Sequence, residues 1–339
     1  MQGMYVHDIG EFGLIERLAR QVAAAEPATR PNVSPSPSLT VTIGDDTAAW
    51  TVGGITELLT TDTVVQGVHF TPETSTWRTV GWKCLAANLS DIASMGGVPS
   101  FAVVTLGLAE DTLIQDMDDL YAGLLKAAST YGVTVIGGDI VSSPVFFMTI
   151  AQTGVIHSAP MLRSAARPGD QIAVTGTLGG SAAGLAVLQG AETANEGDLK
   201  PLIETHQRPR PRINEGHSLL NAGVLCAMDV SDGLLSDLAK ICSASRNSAR
   251  LEAANVPVHP EALLALPQTA LGMALNGGED YELLFTASPA IIAKLHGQLE
   301  SGLQVIGTIM DGNPGQVSVV DRDGAPLAVD AEGWDHLKS

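Results

Sequence analysis

Apolar residues recur along the first half of the chain with two periods, one typical of helices and one typical of strands. Helical spacing runs through residues 76–95 and 112–131, and a glycine follows each run, at Gly96 and Gly132. Shorter apolar runs are typical of buried strands. The predicted strands of this half are 39–43, 57–61, 101–108, 133–136 and 145–156.

The second half of the chain repeats this alternation of strands and helices. Its predicted strands are 171–175, 225–230, 282–286, 303–308 and 316–320, and its helices are 181–189 and one beginning near 234. Between the halves, the polar segment 158–170 ends in a Pro-Gly-Asp turn, so we place a domain boundary near residue 157. The pattern predicts an α/β or mixed α+β fold with two domains, 1–157 and 158–339.

The length of the chain agrees with two domains, and its charge excludes some classes of binding partner. The chain has 339 residues, which suits two domains at roughly 150 residues each. Its 18 basic and 37 acidic residues leave a net charge of −19, which repels nucleic-acid backbones and anionic lipid surfaces. We therefore expect no nucleic-acid and no membrane partner. A phosphate ligand would need a divalent cation beside it.

Features linked to the cellular compartment favour the cytoplasm. The three cysteines, Cys84, Cys226 and Cys242, form neither a disulfide framework nor a zinc motif. The longest apolar stretch, 101–109, is shorter than the about 20 residues that cross a bilayer. The first residues include several acids and lack the basic-then-apolar pattern of a signal peptide.

Aspartates recur where the predicted elements end. They are Asp45 and Asp46, Asp62, Asp91, Asp139, and the pair Asp229 and Asp232 around Ser231. Carboxylates at element ends can converge on the crevice where open α/β sheets bind ligands. They would repel one another without cations, and Mg²⁺ takes carboxylate and phosphate oxygens as ligands. The sequence predicts a multi-magnesium phosphate site, although each aspartate taken singly is more simply a turn or helix cap.

Other candidates for phosphate binding are weaker. Thr60 and Thr61 precede Asp62 and offer oxygen ligands, but β-propensity also explains threonines there. The glycine-rich run 176–184 could cradle an anion or form a tight turn. Arg163 could clamp a phosphate or lie in solvent. The sequence contains no P-loop motif and no protein-kinase motif set.

Three more residues stay open from position alone. His69 lies in the loop after Asp62 and could equally be a hydrogen-bonded loop or core histidine. Glu279 follows two glycines before a predicted strand, where a turn would use the same residues. Trp334 near the C-terminus either packs into its own core or covers a flat ligand ring.

Taken together, these motifs resemble the thiamine-monophosphate kinase family. Several blocks are shared with the wider superfamily of aminoimidazole-ribonucleotide synthetase-like, or PurM-like, enzymes. The blocks at 60–70, 228–238 and 277–285 are more particular to the thiamine-monophosphate branch. In order along nearly the whole chain, the matching blocks are IGDDTAA (43–49), TTDTVVQGVHF (60–70), KCLAANLSDIASMGG (83–97), IGGD (136–139), VTGTLGGSAAGL (174–185), MDVSDGLLSDL (228–238) and GGEDYELLF (277–285).

The resemblance implies a PurM-like fold, in which the N-terminal α/β domain forms a homodimer and the C-terminal α/β domain closes a nucleotide groove. It implies phosphorylation of thiamine monophosphate by ATP to thiamine diphosphate. The Mg²⁺ ligands that it implies are Asp46, Thr60, Thr61, Asp62, Asp91, Asp139, Asp229 and Asp232. The implied ATP contacts are Gly138, Asp139, Arg163 and Ser231, and the implied thiamine-phosphate contacts are His69, Glu279 and Trp334.

The expected mechanism is direct in-line transfer between two phosphates. The acceptor oxygen is already deprotonated or nearly so at neutral pH, so no strong general base is needed. Catalysis would rest on positioning by Mg²⁺ and by Asp62, Asp91, Asp139 and Asp229. Three alternatives stay open: a sister enzyme of the same superfamily, a metal-dependent phosphatase, and a catalytically idle metal-binding protein. The Pro/Ser-rich segment 31–38 resembles an insertion ahead of the first metal loop.

Overall fold

A computed structural model of the chain describes residues 5–24, 34, 36–194 and 197–327. Two six-stranded sheets follow one another along the sequence, each with helices packed against it. The elements of the first half are α1 (Gly10–Ala24), β1 (Ser38–Val41), β2 (Ala48–Val52), β3 (Ile55–Val65), α2 (Trp77–Ser94), β4 (Val98–Leu108), α3 (Ile114–Tyr131), β5 (Thr134–Ser142) and β6 (Phe147–Ile156).

The second half contains the other sheet and most of the short helices. Its elements are β7 (Gln171–Thr175), α4 (Gly180–Leu188), α5 (Lys200–Gln207), α6 (Ile213–Ala222), β8 (Cys226–Asp229), α7 (Leu234–Ala244), β9 (Ser248–Glu252), α8 (Pro260–Ala265), α9 (Ala270–Asn276), β10 (Leu283–Ala287), α10 (Pro289–Leu295), β11 (Leu303–Met310) and β12 (Val317–Val320). The predicted two-domain α/β fold is confirmed.

The first sheet has the strand order β1-β2-β3-β6-β4-β5, and all its pairs except β4–β5 are antiparallel. Alternation along the strands gives it two unlike faces. The inner face, with Leu58, Val104 and Ile150, is buried against α2 and α3. The outer face leaves Phe101 and Val103 exposed within the described chain.

Helix α2 is buried nearly all round and forms the centre of the first half. Its predicted bounds are confirmed, because Thr76 caps its N-terminus and Gly96, at a φ of 77°, follows its end. Two glycines allow α3 to lie directly against it. A Cβ on Gly81 would sit 2.0 Å from the Leu120 carbonyl oxygen, and one on Gly123 would sit 1.8 Å from that of Arg78.

The second sheet has the order β12-β9-β11-β7-β10-β8. Helix α2 also packs against α6 and β8, so it contributes to the cores of both halves. A Cβ on Gly216 of α6 would sit 2.1 Å from the Ala93 carbonyl oxygen of α2. Within the described residues, none of the helices is both long enough and apolar enough to cross a bilayer.

Two predicted strands are too short in the sequence analysis. The strand predicted at 57–61 is Ile55–Val65, and the one predicted at 133–136 is Thr134–Ser142. Asp62 and Asp139 therefore lie inside strands instead of ending them. Since the first sheet is mostly antiparallel, strand ends do not bring its aspartates together, and the face of each residue decides where it points.

Candidate active site

Three aspartates from both halves of the chain meet in one buried cluster. Asp46 follows β1, Asp91 lies on α2, and Asp229 ends β8. One carboxylate oxygen of each lies within 4.8 Å of the others. Asp62 on the inner face of β3 contacts Asp91, and Thr60 on the same face donates its hydroxyl to the Asp91 carboxylate. The predicted convergence of Asp46, Thr60, Asp62, Asp91 and Asp229 is present in the structure.

The cluster contains more negative charge than its surroundings neutralise. Burial, with further contributions from Asp232 and Asp46, raises the pKa of Asp62 to about 6. Burial and the neighbouring aspartates also raise the pKa of Asp91 and of Asp229 well above the ordinary range. The Oδ2 atoms of Asp46 and Asp229 are buried without a hydrogen-bond partner. Closely packed carboxylates with unpartnered oxygens form a site that can receive cations.

Arg163 is the cation that the structure places at the edge of this cluster. Its guanidinium donates to Asp46, with Nε 3.1 Å from Oδ1, and its backbone N–H lies 3.2 Å from Asp45 Oδ2. Burial and the neighbouring Asp46 raise the pKa of Asp45 to about 7, although Arg163 opposes the shift. Arg163 is therefore paired with carboxylates, and its predicted contact with ATP stays a prediction.

Two of the predicted metal ligands lie on the other side of the first sheet. Thr61 alternates with Thr60 and Asp62 along β3, so its side chain is on the exposed face. Asp139 on β5 pairs with Thr105 on β4. Thr105 pairs in turn with Thr149 on β6, and Thr149 pairs with Thr63 on β3, so all four residues lie on that same outer face. A single chain therefore does not bring the side chains of Thr61 and Asp139 to the cluster, because the pleat directs them away from it. Gly138, one residue earlier, pairs with Val104 on the inner-face row.

The turn between β8 and α7 is held by a residue that the sequence analysis missed. The Asp237 Oδ2 atom accepts the backbone N–H groups of Ser231, Asp232 and Gly233 at 3.0–3.1 Å. Lys240 Nζ lies 2.5 Å from Asp232 Oδ2 and 2.7 Å from Asp237 Oδ1. Asp232 lies close enough to Asp62 to raise the pKa of that carboxyl. The second aspartate of SDGLLSD lies in the first turn of α7, where an acidic side chain is the sequence signal for this role.

A second group of charged residues surrounds the loop 276–282. Lys83 Nζ on α2 lies 2.6 Å from Glu279 Oε2, and His206 Nδ1 on α5 lies 3.6 Å from the same oxygen. Burial opposes ionisation of Glu279, but Lys83, His206 and His69 outweigh it and keep the pKa of its carboxyl below the usual value. The predicted residues His69 and Glu279 are thus brought near each other. Trp334 lies outside the described residues.

The glycine-rich run 176–184 forms a tight turn around the chain's own carboxylates. Asp280 accepts the N–H groups of Gly179 at 2.6 Å and of Ser181 at 3.0 Å. A Cβ on Gly176, at a φ of 54°, would sit 2.1 Å from Glu282 Oε1. Because these donors already bind Asp280, the structure favours the tight-turn interpretation of this run over an anion cradle.

The sequence analysis also missed Lys83, His206 and Arg212. Arg212 Nε lies 2.7 Å from Glu282 Oε2, and His206 Nδ1 lies 3.0 Å from the Ser181 hydroxyl. Burial and Lys83 lower the pKa of His206 to about 4. Only Lys83 left a signal in the sequence, since a lysine within the apolar pattern of α2 needs a partner.

Comparison with known proteins identifies the family. The model for the AIR synthase related protein, N-terminal domain, matches residues 44–156, and the model for its C-terminal domain matches 167–320. The thiamine-monophosphate kinase of Escherichia coli O157:H7 is 38% identical over 338 residues, which cover 97% of this chain and 98% of that protein. The thiamine-monophosphate kinase of Bacillus subtilis strain 168 is 34% identical and covers 89% of this chain and 94% of its own length.

Solved structures agree with this relationship. A structure described as AaThiL complexed with AMPPCP and TMP has a TM-score of 0.85 and 30% identity, covering 99% of this chain and all of that one. The thiamine monophosphate kinase of Aquifex aeolicus has a TM-score of 0.78 at 30% identity, covering 96% of this chain and 99% of its own. A HypE–HypF complex, at 16% identity over 92% of this chain and 99% of that one, has a TM-score of 0.67 and shares the fold alone. The chain therefore belongs to the AIR synthase related family and, within it, to the thiamine-monophosphate kinases.

Proposed function

We propose that this chain transfers the γ-phosphate of ATP to thiamine monophosphate and so makes thiamine diphosphate. The observation that carries the proposal is the buried aspartate cluster, which is built from both halves of the chain. Family membership supports the reaction, and a related structure is described as holding the ATP analogue AMPPCP together with TMP. The proposed reaction uses cytoplasmic ATP, and the three free cysteines suit that compartment.

The donor set of the cluster fits Mg²⁺. Carboxylate oxygens are hard ligands, and two of them, on Asp46 and Asp229, are buried without a partner. We infer that Asp46, Asp62, Asp91 and Asp229 hold the ions, with Thr60 and Asp232 at the margin. Bound Mg²⁺ would neutralise phosphate charge. Thr61 and Asp139 stay predicted ligands that the arrangement of one chain does not support.

The roles of the chain's own residues follow from a transfer between two phosphates. Glu279, kept ionised by Lys83, is suited to the cationic thiazolium ring of thiamine monophosphate, and His69 lies beside it. Arg163, Gly138 and Ser231 are proposed contacts of the nucleotide. Since the acceptor oxygen needs no strong base, we expect in-line transfer without a phosphorylated enzyme.

We also infer that the chain forms a homodimer through the outer face of the first sheet. Leu59, Phe101, Val103 and Val141 are exposed on this face in the single chain, and Thr61 lies among them. A sheet face with several exposed apolar side chains is typical of an interface. Light scattering of the wild type and of Val103→Lys tests this: a dimer that becomes a folded monomer supports it, and a monomeric wild type refutes it.

Product analysis tests the reaction. Purified protein is incubated with ATP, Mg²⁺ and thiamine monophosphate, with thiamine as a parallel acceptor. We expect thiamine diphosphate from the monophosphate alone, and none after EDTA is added. Extensive ATP hydrolysis without an acceptor would favour a phosphatase, and untouched ATP with thiamine monophosphate present would refute the proposed kinase and favour a sister enzyme.

A further inference from the structure

Lys83 is a charged side chain in an otherwise apolar part of helix α2. It is only 6% exposed, and its neighbours on the helix include Val80, Cys84 and Leu85, which are also buried. Lysine is rarely buried to this degree unless an acid or hydrogen-bond acceptor receives its charge. Its Nζ atom lies 2.6 Å from Glu279 Oε2 and 3.5 Å from His206 Nε2.

The Glu279 backbone has a conformation that its own sequence does not favour. Its φ is 65°, in the left-handed region that residues other than glycine seldom adopt. Its N–H donates to the Ser231 carbonyl oxygen at 2.8 Å, and a Cβ on Gly278 would sit 2.5 Å from that same oxygen. Such a conformation persists when surrounding contacts determine it. At the carboxylate, Lys83 lies at hydrogen-bond distance, whereas His206 Nδ1 is farther away at 3.6 Å.

Lys83 and Glu279 differ in how far they reach toward solvent. The Lys83 side chain is 7% exposed, whereas that of Glu279 is 29% exposed. The carboxylate can therefore contact a ligand on its open side while the lysine holds it from the protein side. Lys83 and Asp91 are both on α2, eight residues and about 12 Å apart along the axis, so one rigid helix fixes both the loop and the aspartate cluster.

We propose that Lys83 is a positioning residue, which holds the Glu279 carboxylate in place to receive thiamine monophosphate. The inference rests on the proposed function and extends it to a residue that does not touch the substrate. The Lys83–Glu279 pair joins the first half of the chain to the second, so Lys83 also fixes the loop 276–282 relative to the aspartate cluster.

The test is a double-mutant cycle with Lys83→Met, Glu279→Gln and the double variant, measuring kcat and KM for each substrate. We expect Lys83→Met to raise the KM for thiamine monophosphate about tenfold or more, because a displaced Glu279 carboxylate would lose a charged contact with the substrate that contributes that much. The KM for ATP should stay within about twofold. If Lys83 acts through Glu279, the double variant should bind thiamine monophosphate no worse than Glu279→Gln alone. Additive effects, an equal rise in both KM values, or an unchanged KM for thiamine monophosphate would overturn the proposal.

Arg212→Met is the matched control, because it breaks another buried ion pair, with Glu282 of the same loop. A merely structural role for Lys83 predicts that both variants lose thermal stability and show the same ratio of the two KM values. If Lys83→Met does not fold, Lys83→Gln keeps a donor at the site and is measured in the same cycle. Wild-type protein that makes no thiamine diphosphate would refute the proposed function, whereas an additive cycle in active protein would refute only the role of Lys83.

Discussion

The aspartate cluster and the loop 276–282 both contain several carboxylates, but these carboxylates differ in whether the chain supplies partners for them. In the loop, Asp280 accepts two backbone N–H groups, Glu282 binds Arg212, and Glu279 binds Lys83. In the cluster, buried oxygens of Asp46 and Asp229 have no partner. The carboxylates of the loop are bound by groups of the chain itself, and they determine the shape of the loop. The partnerless oxygens of the cluster can still bind a ligand.

The largest effect expected from this contrast is on turnover. Asp62→Ala or Asp91→Asn should lower kcat by about 10²–10³-fold, because each removes a carboxylate oxygen that would hold Mg²⁺ beside the reacting phosphates. The fold should stay intact, since each substitution also removes a charge from a repulsive group. Steady-state kinetics and a thermal melt measure both quantities. Asp118→Asn, on the exposed surface of α3, is the control, and near-normal turnover in either variant would contradict the metal model.

The second effect is on stability in the presence of the ion. Mg²⁺ at about 100 times its Kd should stabilise the wild type by about 2.7 kcal/mol, because it binds the folded cluster and not the unfolded chain. Asp229→Asn should abolish most of this gain. Denaturant unfolding with and without Mg²⁺ measures it. An equal gain in wild type and variant would show that the ion binds elsewhere.

A substitution in the loop 276–282 should instead lower the stability of the fold whether or not Mg²⁺ is present. Asp280→Ala leaves the N–H groups of Gly179 and Ser181 without their acceptor, so it should destabilise the fold by about 1–3 kcal/mol, with or without Mg²⁺. The comparison is Asp119→Ala, which breaks an exposed pair with Arg78 and should cost much less, because exposed ion pairs contribute little to stability. Equal losses in the two variants, measured by urea unfolding, would remove the distinction between cluster and loop.

The last effect is the pH dependence of the stability of the metal-free protein. Burial raises the pKa of Asp62 to about 6 and of Asp45 to about 7, above the ordinary value of 3.8, so the folded state binds protons more tightly than the unfolded state. Stability should therefore fall as pH rises from about 4 to about 7. Mg²⁺ should remove most of the loss near pH 7. A metal-free protein that gains stability over this interval would contradict the assignment.

Local pattern was sufficient to predict much of the fold and part of the site. The apolar spacing of α2 predicted its bounds and placed Asp91 near its end, because Gly96 and Gly97 mark where the helix stops. The strands containing Asp62 and Asp139 were predicted too short, because polar residues inside a strand resemble its end. With the wrong strand bounds, the face of Thr61 and of Asp139 could not be predicted.

The ion pairs between residues distant in sequence were not predicted. Lys83 meets Glu279 across 196 residues, and Arg212 meets Glu282 across 70. No local period encodes such pairs, since they depend on how the two sheets and their helices pack together. The resemblance to a family named Glu279, but its pairing with Lys83 became visible only in three dimensions.

The Asp280 carboxylate in the glycine-rich turn affects how well the protein distinguishes uncomplexed ATP from the magnesium complex of ATP. A turn that already binds an internal anion offers no free amides from Gly179 and Ser181 to a triphosphate, and a chain of net charge −19 repels one at a distance. Affinity for the nucleotide should then depend almost wholly on the cation that accompanies it. We expect uncomplexed ATP to compete poorly with its magnesium complex. Scarcity of the ion would then slow the enzyme without trapping it in an inactive complex with ATP. Tight binding of ATP in the presence of EDTA, measured by equilibrium dialysis, would contradict this.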